Sequence, residues 1–146
     1  MNLKSSHAKS SQSAVNTLAQ TVPTTTTTLQ ILGTLATDTG VSLATKPSSI
    51  SVEHSGTYVF DAAVTISATA EGSTTIRFYK DGVQIPASVR VYVLRATTPT
   101  TITTSSYPIF IGGCCCQTAP NPVITLGITG AAGTVSYVAV SGVKLA

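Results

Sequence analysis

Three observations in this sequence predict an all-β fold, an antiparallel jelly-roll sandwich entered by an extended N-terminal arm. The first is composition: Thr and Ser fill 43 of the 146 positions (26 and 17) and only 9% of residues are charged, where an ordinary soluble domain carries about 25% charge. Thr is β-branched and sits well on a pleated, half-buried surface. The second is period: from Leu29 onward apolar residues recur at every second position, which places one face of a strand on a core. The third is punctuation, since the runs are short and Gly, Pro, Asn, Asp and Ser separate them at even spacing. No window of helical period competes with this pattern.

Residues 1–28 read as the arm. Ser, Gln, Asn and Thr dominate it, Pro23 interrupts it and residues 24–28 are an unbroken Thr run, so it offers too little apolar area to offset the entropy of ordering it. A short helix over 14–19 has Thr17 inside it and too few apolar positions to hold. Residues 29–146 form the folded domain. Strands are expected over 29–34 and 41–44, parted by the Asp38-Thr39-Gly40 turn and ended at Lys46-Pro47, and then at Ile50 to Val52, before a turn over 54–56.

The clearest element spans 57–68, where Tyr58, Phe60, Ala62, Val64, Ile66 and Ala68 form one alternating set and smaller, mixed residues the other. Glu71-Gly72 turns the chain into a strand over 75–80. Asp81-Gly82 then makes the strongest hairpin signal of the chain, because a type I′ turn needs positive φ at both central residues. It predicts that 83–86 returns antiparallel to 76–80. Further strands follow over 89–94, 100–104, 109–111, 123–128 and 135–143, the last two parted by a turn over 130–133.

Charge and hydropathy narrow the function classes. Eight Lys and Arg against five Asp and Glu leave a net charge of +3. Two of those cations, Lys4 and Lys9, stand in the arm without an acidic neighbour, so the rest of the chain is nearly neutral. A nucleic-acid-binding domain shows a clustered basic face, and none occurs after residue 10, which argues against DNA or RNA as a partner. No run reaches the 18 apolar residues of a membrane helix. The basic N-terminal stretch lacks the apolar core of a secretory signal, so synthesis and retention in a cytoplasm are expected.

Chemistry-bearing residues are sparse, and no catalytic residue or cofactor is expected. His7 falls in the arm and His54 at a turn beside Glu53, where a histidine is ordinarily exposed, although a pH-sensing or ligand role is conceivable there. Turn contexts account for Asp38, Glu71 and Asp81, leaving Glu53 and Asp61 as the remaining carboxylates, too little for a glycosidase pair. Cys114, Cys115 and Cys116 are vicinal. Zinc ligands come as spaced pairs, disulfides between subunits are disfavoured in a cytoplasm, and small hydrophobes filling a tight spot are the plain alternative. Gly112-Gly113 and the 130–133 glycines lack the Lys-Ser/Thr of a phosphate loop.

The G-x-Y-x-F run at Gly56-Thr57-Tyr58-Val59-Phe60, the core strand through Val64-Thr65-Ile66-Ser67, and Ile76-Arg77-Phe78-Tyr79-Lys80-Asp81-Gly82 with its K-[ND]-G hairpin together resemble the jelly-roll modules of the tumour necrosis factor and complement-globular-head type. Small bacteriophage virion proteins and the C-terminal domains of spore-surface collagen-like proteins look similar. The closing strand, from Val135 through Tyr137 and Gly142 to Leu145, fits the same pattern, and the resemblance covers residues 29–146. Collagen-like repeats and a cytokine's signal or anchor are absent from the pattern. The resemblance implies a homotrimer, for which Tyr92, Tyr107 and Tyr137 are the expected subunit contacts, because Tyr gives large area with a polar end. Strands over 89–94 and 135–143 are apolar on both faces, which an interface would cover.

The expected function is that of a virion structural protein, a trimeric capsid decoration or head fibre assembled in the host cytoplasm. Its arm would order on a major capsid or other virion protein through Lys4, Lys9, Val15, Leu18 and Val22. The alternative is a carbohydrate- or receptor-binding module of a tail tip or spore surface.

Overall fold

The computed structural model describes residues 11–31, 35–38, 43–112 and 121–146. Strands β1 (Ser11–Asn16), β2 (Gln20–Val22), β3 (Thr27–Thr28), β4 (Leu35–Asp38), β5 (Leu43–Lys46), β6 (Ser49–Val52) and β7 (Gly56–Ala68) occupy the first half. The second half holds β8 (Gly72–Lys80), β9 (Val83–Gln84), a 3-10 turn at Pro86–Ser88, β10 (Arg90–Leu94), β11 (Thr100–Ser105), β12 (Ile109–Ile111), β13 (Val123–Thr129) and β14 (Gly133–Lys144).

The strands divide into two seven-stranded sheets, one ordered β11-β7-β14-β1-β4 and the other β10-β8-β13-β6-β5; β12 and β2 extend the first sheet and β3 and β9 the second. All the named strand pairs are antiparallel, and sequential strands mostly fall in opposite sheets, as in a jelly roll. The predicted fold class is the one observed.

The core lies between the sheets and follows the alternation. Tyr58, Phe60, Ala62, Val64, Ile66 and Ala68 of β7 are all buried, as are Ile76 and Phe78 of β8 and Ile124, Leu126 and Ile128 of β13. Phe60 is central, with its ring centroid 6.1 Å from those of both Tyr58 and Phe78. It lies against bare backbone: a Cβ on Gly142 of β14 would come within 2.7 Å of the Phe60 ring. The predicted hairpin is present, with Asp81 at φ 51° and Gly82 at φ 81° joining Lys80 to Val83.

The arm is the main correction. Residues 11–28 are built into the sandwich: β1 pairs with β14 and β4, β2 with β14, and β3 with β13. The physical reason is that polar side chains take inward positions. Gln12, Ala14 and Asn16 are the buried residues of β1. The Asn16 amide donates to the Gln30 carbonyl at 2.9 Å, and its Oδ1 accepts from the Leu18 N–H at 2.9 Å. Gln20 adds a two-way clasp, donating to the Gln30 carbonyl and accepting from the Gln30 N–H, both at 2.8 Å. Amides thereby pair backbone groups of Gln30 and Leu18 that lie outside the strand ladders.

Smaller differences surround it. Leu29, Gln30 and Ile31 are not in a strand, although Leu29 and Ile31 are buried; Asp38 ends a strand instead of starting a turn. The three cysteines, Lys4 and Lys9 lie outside the described residues.

Candidate functional site

The outward face of the first sheet is built in cross-strand rows, and the register fixes each row. One row runs Ser13, Ser141, Asp61, Ser105 across β1, β14, β7 and β11. The next runs Val15, Ala139, Ala63, Thr103, and beyond it Tyr137 and Thr65 lead to Thr101. Thr65 and Thr101 share a hydroxyl hydrogen bond of 2.9 Å. Small side chains in the first two rows leave a trough of about 540 Å³, whose only carboxylate among the described residues is Asp61.

The far wall of the trough comes from the other sheet. β10 and β11 are the edge strands on the same side of the sandwich, so the inward-turned side chains of β10 reach the seam between them. Tyr92 closes that seam. Its hydroxyl donates to the Thr103 carbonyl at 2.7 Å and accepts from the Thr103 N–H at 3.3 Å, satisfying both edge groups of one residue. Thr104 Oγ1 donates to the Ser88 carbonyl, and Ser88 Oγ accepts from the Phe78 N–H at 2.8 Å. The seam is therefore stitched by hydroxyls, a role that composition alone does not disclose.

Arg90 stands at the top of this wall. Its Nη1 donates to the carbonyls of Ala87 and Val89, both at 2.8 Å, and its Nη2 to the Tyr107 hydroxyl at 3.0 Å, with the guanidinium carbon 5.4 Å from the Tyr107 ring centre. Tyr107 has φ 58°, a left-handed backbone that is uncommon for an aromatic residue, and the Ser105 and Ser106 hydroxyls bond its amide and carbonyl. The Asp61 carboxylate forms no hydrogen bond or ion pair with any described residue.

The predicted contact residues occupy different environments. Tyr92 and Tyr107 both line the trough. Tyr92 spends its hydroxyl inside its own chain, whereas Tyr107 is 53% exposed. Tyr137 sits beside the β14 bulge, exposed on the same sheet face but outside the trough. Of the arm residues, Val15 is half-buried in the trough floor, Leu18 is exposed and Val22 is fully buried in the core. Val22 is therefore no docking residue in the folded chain. In the sequence Asp61 has no task and no motif sets Arg90 apart; the register and the seam bring both to one trough.

A second depression, of about 430 Å³, lies at the other end of β8, where Val83 and Phe110 are exposed beside Ile85, Pro86, Lys80 and Asp81. His54 presents its backbone carbonyl to the Tyr58 hydroxyl at 2.6 Å, and Glu53 accepts from the Ser51 hydroxyl at 2.6 Å. Among the described residues no three His, Cys, Asp or Glu side chains converge as a metal site would require.

No protein-family model matches the chain, and no curated protein matches it. Solved structures do match it in fold. The PRD1 vertex protein P5 superposes with a TM-score of 0.60 at 14% identity, covering 94% of this chain and 97% of that one. Murine APRIL gives 0.57 at 16% identity over 94% and 99%, and the globular domain of a zebrafish complement 1qA protein gives 0.53 at 8% identity over 90% and 94%. The fold is thus the jelly roll of the tumour necrosis factor and complement-head type.

Proposed function

We propose that this chain is a non-enzymatic structural protein of a phage virion, a homotrimer that decorates the capsid or forms a head fibre. The observation that carries the reading is the outward face of the first sheet, with its rows of Ser, Ala and Thr around a single carboxylate. A face so low in charge, lying beside an edge strand with Val91 and Val93 exposed, is suited to cover by another protein surface. The likeness to the PRD1 vertex protein favours a virion setting, and the likeness in fold to the tumour necrosis factor type favours three copies. Docking to a major capsid or other virion protein falls to the segment before β1, with Lys4 and Lys9, and to exposed Leu18.

The test is to label particles made from the genome that encodes the chain with antibody to it, and to weigh the purified chain by light scattering. Labelled particles and a threefold mass support the reading. Unlabelled particles overturn the virion assignment, and a monomer overturns the trimer.

One observation favours a second reading, a carbohydrate- or receptor-binding module. Phe110 is 72% exposed beside Lys80, Asp81 and Gln84, an aromatic face with polar neighbours. A specific glycan-array signal that disappears in Phe110→Ala would establish this role in place of a purely structural one.

A further inference from the structure

We propose that the trough over Asp61 seats the β10 edge of a second copy of this chain, and that the neighbour's Arg90 pairs with Asp61. This rests on the self-assembly reading above and names the contact that would hold it. A guanidinium has five N–H donors. Arg90 uses three, two from Nη1 and one from Nη2, which leaves the Nε–H and one Nη2–H. The planar group therefore keeps two donors for the oxygens of a carboxylate. Arg90 is also held in place by its three bonds and by the Tyr107 ring, so little side-chain freedom remains to be lost on pairing.

Asp61 is the complement. It is exposed, its carboxylate has no partner among the described residues, and it lies in a row whose other members are Ser13, Ser141 and Ser105. An apolar partner laid over that row would bury an unpaired charge, which is strongly unfavourable. A partner bringing an unsated arginine avoids this. The same chain carries both halves beside one trough, yet they do not pair with each other. The edge that carries Arg90 also carries Val91 and Val93, 63% and 73% exposed, and its outer backbone groups face no strand among the described residues. Val91 and Val93 alternate with Arg90 along the strand and face away from it, so the contact with Asp61 is carried by the charge pair.

Sedimentation equilibrium of wild type, Asp61→Arg, Arg90→Asp and the double swap tests the pairing. Each single reversal is expected to weaken assembly by about 30-fold or more, and the double swap to recover most of that loss. Arg90 also bonds its own chain, so a thermal melt accompanies each variant. Should Arg90→Asp not fold, Arg90→Lys takes its place and is expected to weaken assembly by about 10-fold, because a lysine lacks the rigid, planar set of donors. Unchanged assembly in Asp61→Arg overturns the pair and leaves self-assembly standing. Folded single variants that assemble poorly, with no recovery in the swap, likewise overturn the pair. A wild-type monomer overturns the self-assembly reading and the pair with it, whereas a wild-type dimer in which the swap rescues upholds the pair and overturns the trimer.

Discussion

β1 and β7 lie in the same sheet with β14 between them, and the two strands are held by opposite chemistries. β7 turns Tyr58, Phe60, Val64 and Ile66 inward, and all four are fully buried. β1 turns Gln12, Ala14 and Asn16 inward, buried nearly as deeply, and leaves Val15 on the outer face. The pleat imposes the same two-residue period on both. Hydrophobicity follows that period only where apolar contact supplies the stabilisation. Where amide groups pair with a crossing backbone, as Asn16 and Gln20 do with Gln30, the burial period persists and the hydrophobic period vanishes.

The most severe way to break the comparison is to remove the polar half. Deleting residues 1–22 takes away β1 and β2 and strips β14 of its partners along one side. We expect no cooperative urea transition, a loss on the scale of the whole stability of a domain, about 5–15 kcal/mol. A truncated chain that still unfolds cooperatively would mean that β1 is an appendage after all.

Within β7, Phe60→Ala empties the centre of the core beside Tyr58, Phe78 and Gly142. The expected destabilisation is about 3–5 kcal/mol by denaturant midpoint. In β1, Asn16→Ala leaves the Gln30 carbonyl short of one donor and the Leu18 N–H without its acceptor. An expected loss of about 1–3 kcal/mol follows from two lost hydrogen bonds, each contributing about 0.5–1.5 kcal/mol net. If Asn16→Ala proves silent, the amide account of β1 is wrong and its burial is incidental.

This contrast also explains what could be read in advance. The 57–68 strand and the Asp81-Gly82 hairpin were legible because each carries its own signal, apolar alternation in one and a residue pair suited to positive φ in the other. β1 was illegible because its inward residues are Gln12 and Asn16, which composition assigns to an arm. Tyr92 was legible as an amphipathic residue, but its hydroxyl serves the edge of β11 within its own chain. The trough was illegible for a different reason. Ser13, Asp61, Ser105 and Ser141 are far apart in sequence, and only the register of four strands aligns them.

The smallest expected effect gives the sharpest contrast. By sequence Val15 is the most apolar residue of β1, and a hydrophobicity argument would make it the strand's anchor. In the structure it occupies the trough floor, opposite Ala139 and only half-buried. Val15→Thr keeps the β-branched shape and exchanges a methyl for a hydroxyl that faces outward, where water can satisfy it. Its expected effect on the folding of the single chain is within about 0.5 kcal/mol, smaller than that of Asn16→Ala next to it. A loss above 1.5 kcal/mol, the size of a buried apolar contact, would place Val15 in the core and reverse the assignment of faces in β1. An effect confined to assembly, with the unfolding midpoint of the dilute chain unchanged, would instead mark Val15 as part of the surface that a second copy covers.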